Sequence, residues 1–201
     1  MANGDDDGPQ LRANLAELLQ VILSAAPQRE VPTLESARRW HELIMRGLEV
    51  PDSRFAGAFR GEVGLERCGA RVGSIAGVHS TRVAEQLAGF ESTLQTLVAE
   101  LDARLPFGQE LNADSLAAII DLCGWVHSEW VRIHPFANGN GRIARVWANC
   151  LALRYGLPPF VAIRPRPSSG YAEAGAKAMQ GDWKPTAIVF RRLLQDFVNS
   201  N

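Results

Sequence analysis

The sequence is short of cysteine, of charge of one sign and of long apolar runs, and each shortage removes a class of protein. Its three cysteines, Cys68, Cys123 and Cys150, are odd in number and widely spaced. No Cys-x-x-Cys pair marks a metal knuckle. Cys123 and Cys150 fall on apolar helical faces, where a thiol packs as a small hydrophobe, which fits a reducing, cytoplasmic setting. The formal net charge is −1, which argues against a generic nucleic-acid binder. No stretch approaches the roughly 18 uninterrupted apolar residues of a membrane span. The start, Asn3-Gly4-Asp5-Asp6-Asp7-Gly8, is acidic where a signal peptide is basic. There is no internal repeat and no long low-complexity segment. At 201 residues the expectation is one domain with its own core, 10–201, behind a disordered acidic lead, 1–9.

What the chain does have is one dense stretch, His134-Pro135-Phe136-Ala137-Asn138-Gly139-Asn140-Gly141-Arg142-Ile143-Ala144-Arg145. Apolar residues flank it with helical period: Leu116, Ile119, Ile120, Cys123, Val126, Trp130 and Ile133 before, and Ile143, Val146, Trp147, Cys150 and Leu151 after. Pro135 ends the first helix near His134. Asn-Gly-Asn-Gly suits a tight turn, because Gly and Asn tolerate positive φ. A second helix then opens at about Asn140 or Gly141, and its unpaired N–H groups make an anion site. Arg142 and Arg145 share one face and add two forked cations. Two arginines at a positive helix end oppose the dipole unless an anion offsets them.

This stretch resembles the signature of the Fic (Fido-fold) family, His-x-Phe-x-(Asp/Glu)-Gly-Asn-Gly-Arg-x-x-Arg. His134, Phe136, Gly139, Asn140, Gly141, Arg142 and Arg145 match it, and Asn138 departs from its acidic position. The resemblance implies a mainly α helical bundle with a small β-hairpin flap, and transfer of AMP from ATP, with Mg²⁺, to a hydroxyl side chain of a target protein. A minority of the family move other phosphate-containing groups.

Weaker likenesses extend the resemblance to about 34–195. Thr33 is the expected N-cap of a helix over 33–48, with His41 as a packed or capping imidazole. Phe55-Ala56-Gly57-x-x-Arg60 is similar to the element before the family's flap. In the Gly-rich stretch that follows, 62–67 and 70–75 are expected to pair as short strands across Cys68-Gly69. Val63, Gly64, Leu65, Val72, Gly73, Ser74 and Ile75 then form the flap on which, by resemblance, a target segment docks by β-augmentation. A long helix from about Ser80 carries the seam Val83, Leu87, Phe90, Leu94, Leu97 and Leu101, and Pro106 and Gly108 end it. Asn112 opens the helix that delivers His134. Gly156 is the expected C-cap after the signature helix, 160–163 a short extended piece, and Ser168 or Ser169 the cap of a helix carrying Tyr171. Tyr171 through Pro185 is similar to the family's tail.

The residue types suit the implied chemistry. A hydroxyl nucleophile needs a base within about 3 Å, and His134 supplies one, worth about two to four orders of magnitude. Backbone N–H groups of Gly139, Asn140 and Gly141, with the Asn140 side chain, are expected at the α-phosphate, and Arg142 and Arg145 at the β- and γ-phosphates. By resemblance, Phe136 plugs the loop into the core. Asn138 is left as a weak Mg²⁺ ligand, since an amide oxygen carries no charge. Three readings stay open: AMP transfer with a weakened metal requirement, transfer of another phosphate-bearing group, and nucleotide binding without catalysis. The (Ser/Thr)-x-x-x-Glu-(Gly/Asn) helix that holds many members of that family off finds no true match in this sequence, so the resemblance implies inhibition by a separate small protein or none by this route.

Overall fold

The computed structural model describes residues 8–168 and 170–200. Seven α-helices are present among them: α1 (Pro9–Ala25), α2 (Leu34–Met45), α3 (Val83–Arg104), α4 (Ala113–Ile133), α5 (Asn140–Arg154), α6 (Tyr171–Ala178) and α7 (Lys184–Ser200). Residues 1–7 of the acidic lead lie outside the described set, and Pro9 already sits in the first turn of α1, where its missing N–H costs nothing.

The bundle is built around α4 and α5, which pack together and are covered by the other helices. Trp130 of α4 and Trp147 of α5 are fully buried, with ring centroids 5.6 Å apart. Phe90 from α3 stands edge-on to Trp147 at 5.3 Å, and Trp40 from α2 at 5.0 Å. Four helices thus share one aromatic knot. Gly124 lets α7 come close, since a Cβ there would sit 2.9 Å from the Ala187 Cβ. A buried Ser128–Thr186 hydroxyl bond of 2.9 Å ties the same two helices.

The helix starts follow their caps. Thr33 and Asn112 each accept from the backbone of the third residue on, and Ser36 and Ser115 return the bond. Other boundaries differ from expectation. Gly47, with φ of 71°, lies in the turn after α2, so that helix stops at Met45 rather than 48. In α3 the inward position after Leu94 is Val98, and Leu97 is only partly buried; a step of four fits the 3.6-residue turn there. Helix α6 starts after Gly170, φ 78°, with no side-chain cap; Ser169 lies outside the described residues.

The hairpin is the main correction. β1 (Arg71–Val72) pairs antiparallel with β2 (Ile75–Ala76), Arg71 opposite Ala76 and Val72 opposite Ile75, so the turn is Gly73-Ser74 and not Cys68-Gly69. Val63, Gly64 and Leu65 take no part. Gly61 and Gly64 hold φ of 96° and 84°, which coils the chain into turns closed by Leu65 N–H to the Glu62 carbonyl (2.8 Å) and Gly61 N–H to the Leu65 carbonyl (3.0 Å). Leu65 is buried and Val63 points into solvent. Glu62 is held by the Arg38 guanidinium and by Phe59 N–H.

Candidate active site

The signature loop is tied down from three sides. Phe136 is fully buried and stacks on His41 with centroids 3.9 Å apart. His41 Nδ1 accepts from Gly57 N–H at 3.0 Å, so Nε2–H donates to the Asn138 carbonyl at 3.0 Å. Burial drives the His41 pKa down to about 4, with the Arg142 charge pushing the same way, and the ring is neutral. Asn140 is the second tie. Its Oδ1 accepts from Phe136 N–H (2.9 Å) and its Nδ2 donates to the Phe136 carbonyl (2.8 Å). Both ends of the amide are engaged, so its side chain closes the loop. Gly139 is the third tie. Its φ is 75°, and a Cβ there would meet Met45 at 2.8 Å and His41 at 3.1 Å.

His134 ends α4 in the left-handed region, φ 55°, a conformation that costs a non-Gly residue of order 1 kcal/mol and persists only when its surroundings enforce it. Arg60 provides the enforcement. Its buried guanidinium donates to the carbonyls of His134 (2.7 Å), Val78 (2.8 Å), Ile133 (3.1 Å) and Cys68 (3.2 Å). A carbonyl accepts from His134 Nδ1–H as well, that of Val131 at 3.0 Å. The proton is thereby fixed on Nδ1, and Nε2 keeps its lone pair. Burial, aided by the charge of Arg60 and opposed by the Val131 bond, lowers the His134 pKa below the ordinary histidine value. At neutral pH the imidazole is an available base.

One cleft of about 730 Å³ gathers His134, Asn138, Gly139, Asn140, Gly141, Arg142 and Arg145. The backbone N–H groups of Asn140 and Gly141, at the start of α5, have no acceptor among the described residues, and the helix dipole makes this an anion-binding end. The Gly139 N–H is instead taken by its neighbour's Asn138 Oδ1 at 2.5 Å. Arg142 and Arg145 are 3 % and 4 % exposed. Arg145 is aimed by the Ile163 carbonyl, which accepts from Nε (3.1 Å) and Nη2 (2.9 Å), and by the Tyr171 hydroxyl, which accepts from Nη1 (3.1 Å). Because a guanidinium only donates, the Tyr171 hydroxyl directs its own O–H to His127 Nε2, donating at 2.7 Å. Burial, then the Arg145 charge, pushes His127 down to about 3.

Of the expected flap residues, Val72 reaches the cleft; Val63, Gly64, Leu65, Gly73, Ser74 and Ile75 do not line it. Phe136 lies beneath it in the core. Sequence reasoning missed Arg71, Arg164 and Arg166, which also line it. The signal was present as Arg164-Pro165-Arg166 after a strongly apolar piece. That piece, 160–163, is not a strand. Asn149 of α5 replaces a strand partner, accepting from Val161 N–H (3.0 Å) and donating to its carbonyl (2.7 Å).

Among the described residues no helix is long and apolar enough to cross a membrane. Protein adenylyltransferase Fic of Nematostella vectensis is 41% identical over 66 residues, 33% of this chain and 15% of the relative. That of Drosophila melanogaster is 35% identical over 81 residues, 39% of this chain and 16% of the relative. The matched stretch is therefore about a sixth of these relatives' length. Two solved structures share the fold at 18% identity. A Fic-domain signaling protein of Bacteroides thetaiotaomicron superposes with a TM-score of 0.62 over 92% of this chain and 68% of that one. The BepC protein of Bartonella tribocorum, which holds bound AMPPNP, gives 0.57 over 90% and 86%. The family model described as Fic/DOC family matches residues 32–152, more than half of the sequence, and on that match, with the shared fold beneath it, the chain belongs to the Fic/DOC family.

Proposed function

We propose that the chain transfers AMP from ATP to a hydroxyl side chain of a target protein, with His134 as the general base. The observation that carries this reading is the pairing, in one cleft, of an imidazole whose Nε2 is open with the donor-rich start of α5. The relatives' name, protein adenylyltransferase, supports AMP as the group moved.

In this reading the target hydroxyl oxygen attacks the α-phosphorus as its proton passes to His134 Nε2. The bond from that phosphorus to the bridging oxygen breaks, and pyrophosphate leaves. Asn140 and Gly141 N–H groups meet the charge that develops on the α-phosphate oxygens. Arg142 and Arg145 hold the β- and γ-phosphates, the groups that become the leaving pyrophosphate. The target segment docks along β1 and β2, where exposed Arg71 and Val72 border the cleft.

A Mg²⁺ ion needs hard, preferably anionic oxygens. The described lining of this cleft contains no carboxylate, and the amide oxygen of Asn138, at the family's acidic position, is turned onto Gly139 N–H. These residues do not fit a protein-held Mg²⁺.

The test is transfer from α-labelled ATP, GTP, CTP or UTP to protein in a host lysate. The expected result is labelling from ATP that His134→Ala abolishes while nucleotide affinity stays within a few-fold. Near-normal labelling by that variant would overturn the assignment.

A further inference from the structure

We propose that the arginines of the cleft do the work of a divalent cation, so that the chain takes its nucleotide donor as the metal-free polyanion. This rests on the nucleotide-transfer reading. Five guanidinium groups line the cleft, Arg71, Arg142, Arg145, Arg164 and Arg166, and no Asp or Glu stands among its described lining. They come from three parts of the chain: strand β1, helix α5, and the loop between α5 and α6.

Two observations give this charge its direction. First, its placement is built into the fold. Arg145 is clamped by the Ile163 carbonyl and by Tyr171. The segment that bears Arg164 and Arg166 is fixed to α5 by Arg145 at Ile163 and by Asn149 at Val161. Arg142 and Arg145 are almost wholly buried, where a charge interacts with less screening than in water. Second, the oxygens that would attract a cation are used. Asn138 Oδ1 accepts from Gly139 N–H, and the Ile163 carbonyl accepts from two nitrogens of Arg145. Among the described residues no group of three or more His, Cys, Asp or Glu is arranged to hold a metal.

Chelation of the triphosphate by Mg²⁺ would occupy the same β- and γ-oxygens that a guanidinium fork binds, and would cancel two of the charges the arginines attract. It would also bring a dication into a site that is already positive. Mg²⁺ therefore competes with this cleft for the donor.

The experiment is calorimetry of ATP on the full chain, in chelator and in excess Mg²⁺, with labelling from α-labelled ATP run in both buffers. ATP is expected to bind at least as tightly in chelator, and labelling to persist there. The double variant Arg164→Ala/Arg166→Ala is expected to lose about ten-fold or more of the affinity measured in chelator, the scale of one charge-assisted hydrogen bond, with an unchanged melting temperature. Asn138→Asp, which sets a carboxylate at the donor site, is expected to shift the preference toward Mg²⁺. Binding about ten-fold tighter with Mg²⁺ than without, or labelling that stops in chelator, overturns the inference and leaves the transferase reading standing. An Arg164→Ala/Arg166→Ala chain that binds like wild type in chelator also overturns it. Absence of ATP binding in both buffers overturns the two together.

Discussion

Arg60→Met tests what holds the His134 end of α4 in place. The methionine keeps most of the apolar stem and removes the fork. Four carbonyls lose their donor: His134, Val78, Ile133 and Cys68. Each bond to a charged group is worth about 1.5–3 kcal/mol, and each buried acceptor left bare costs about 1–3 kcal/mol. The four are not additive, because one rigid side chain makes them all. Cys68 is only half-buried, so water can replace that bond. The Ile133 and His134 carbonyls lie at the last turn of α4, where the helix dipole already crowds negative charge. Counting two fully orphaned acceptors and the partial loss of the others gives about 3–5 kcal/mol. For a chain of this length the melting temperature should fall by about 6–20 °C, read by circular dichroism. Arg60→Lys restores the charge without the fork and should recover only part of the loss. A Met variant melting within about 2 °C of wild type would refute the clamp and return the four carbonyls to water.

Acid should destabilise the fold through buried histidines. His41 and His127 have folded-state pKa values of about 4 and about 3, below the unfolded value near 6.5. The unfolded chain therefore binds the extra protons first. Stability is fully present above about pH 6.5 and is lost as pH falls from there toward 4, by up to about 2.7 kcal/mol per pH unit for the two groups together. Urea midpoints at neutral and mildly acidic pH check this, and a flat profile would contradict it. Gly124→Ala sets two effects against each other. It gains about 1 kcal/mol of helix propensity and overpacks the α4–α7 contact, where the new Cβ meets Ala187 backbone atoms at 3.0 Å, at about 1–3 kcal/mol. Backbone cannot swing aside, which puts the cost toward the upper end of that range, so a net loss approaching about 2 kcal/mol is expected, seen as a lower urea midpoint; an unchanged or raised midpoint would show that α7 yields.

The readable parts of this sequence are those where local pattern and global packing agree. Apolar returns through Trp130 and Trp147, Pro135 after His134, and Asn-Gly-Asn-Gly between them fix α4, the loop and α5. The hairpin was misplaced because alternation alone cannot see that Gly61 and Gly64 would be used for turns, with Leu65 drawn inward. The loop-closing role of Asn140 is hidden for a related reason. Its amide suits a phosphate chemically, but only the closed loop shows both of its ends engaged by Phe136. Arg60 stood inside a recognisable element, yet its bonds run to residues 8 to 74 positions away. Arg164 and Arg166 join the cleft only because Asn149 and Arg145 fold the segment before them back onto α5.

The arginines divide by how their charge is held, and the division follows function. Arg154 and Arg29 both pair with Asp102, Arg38 with Glu62, Arg46 with Glu17 and Arg132 with Glu129. In these pairs a carboxylate offsets the cation, in full where the pair is one to one and in part where Asp102 serves two arginines, and the remaining field is screened over a Debye length of about 8–10 Å. Arg60 and Arg145 are buried too, but their guanidinium groups donate to carbonyls and a hydroxyl. A neutral dipole repays the lost hydration without cancelling the charge. The positive potential of Arg145 therefore persists at the start of α5, where Asn140 and Gly141 add their N–H groups, while the Arg60 charge adds to the burial that lowers the His134 pKa. A formal charge of −1 over the whole chain thus conceals a cleft lined by five arginines and, among its described lining, no carboxylate. Substituting carboxylates for the carbonyl partners would give tighter ion pairs and a site with a weaker pull on a phosphate.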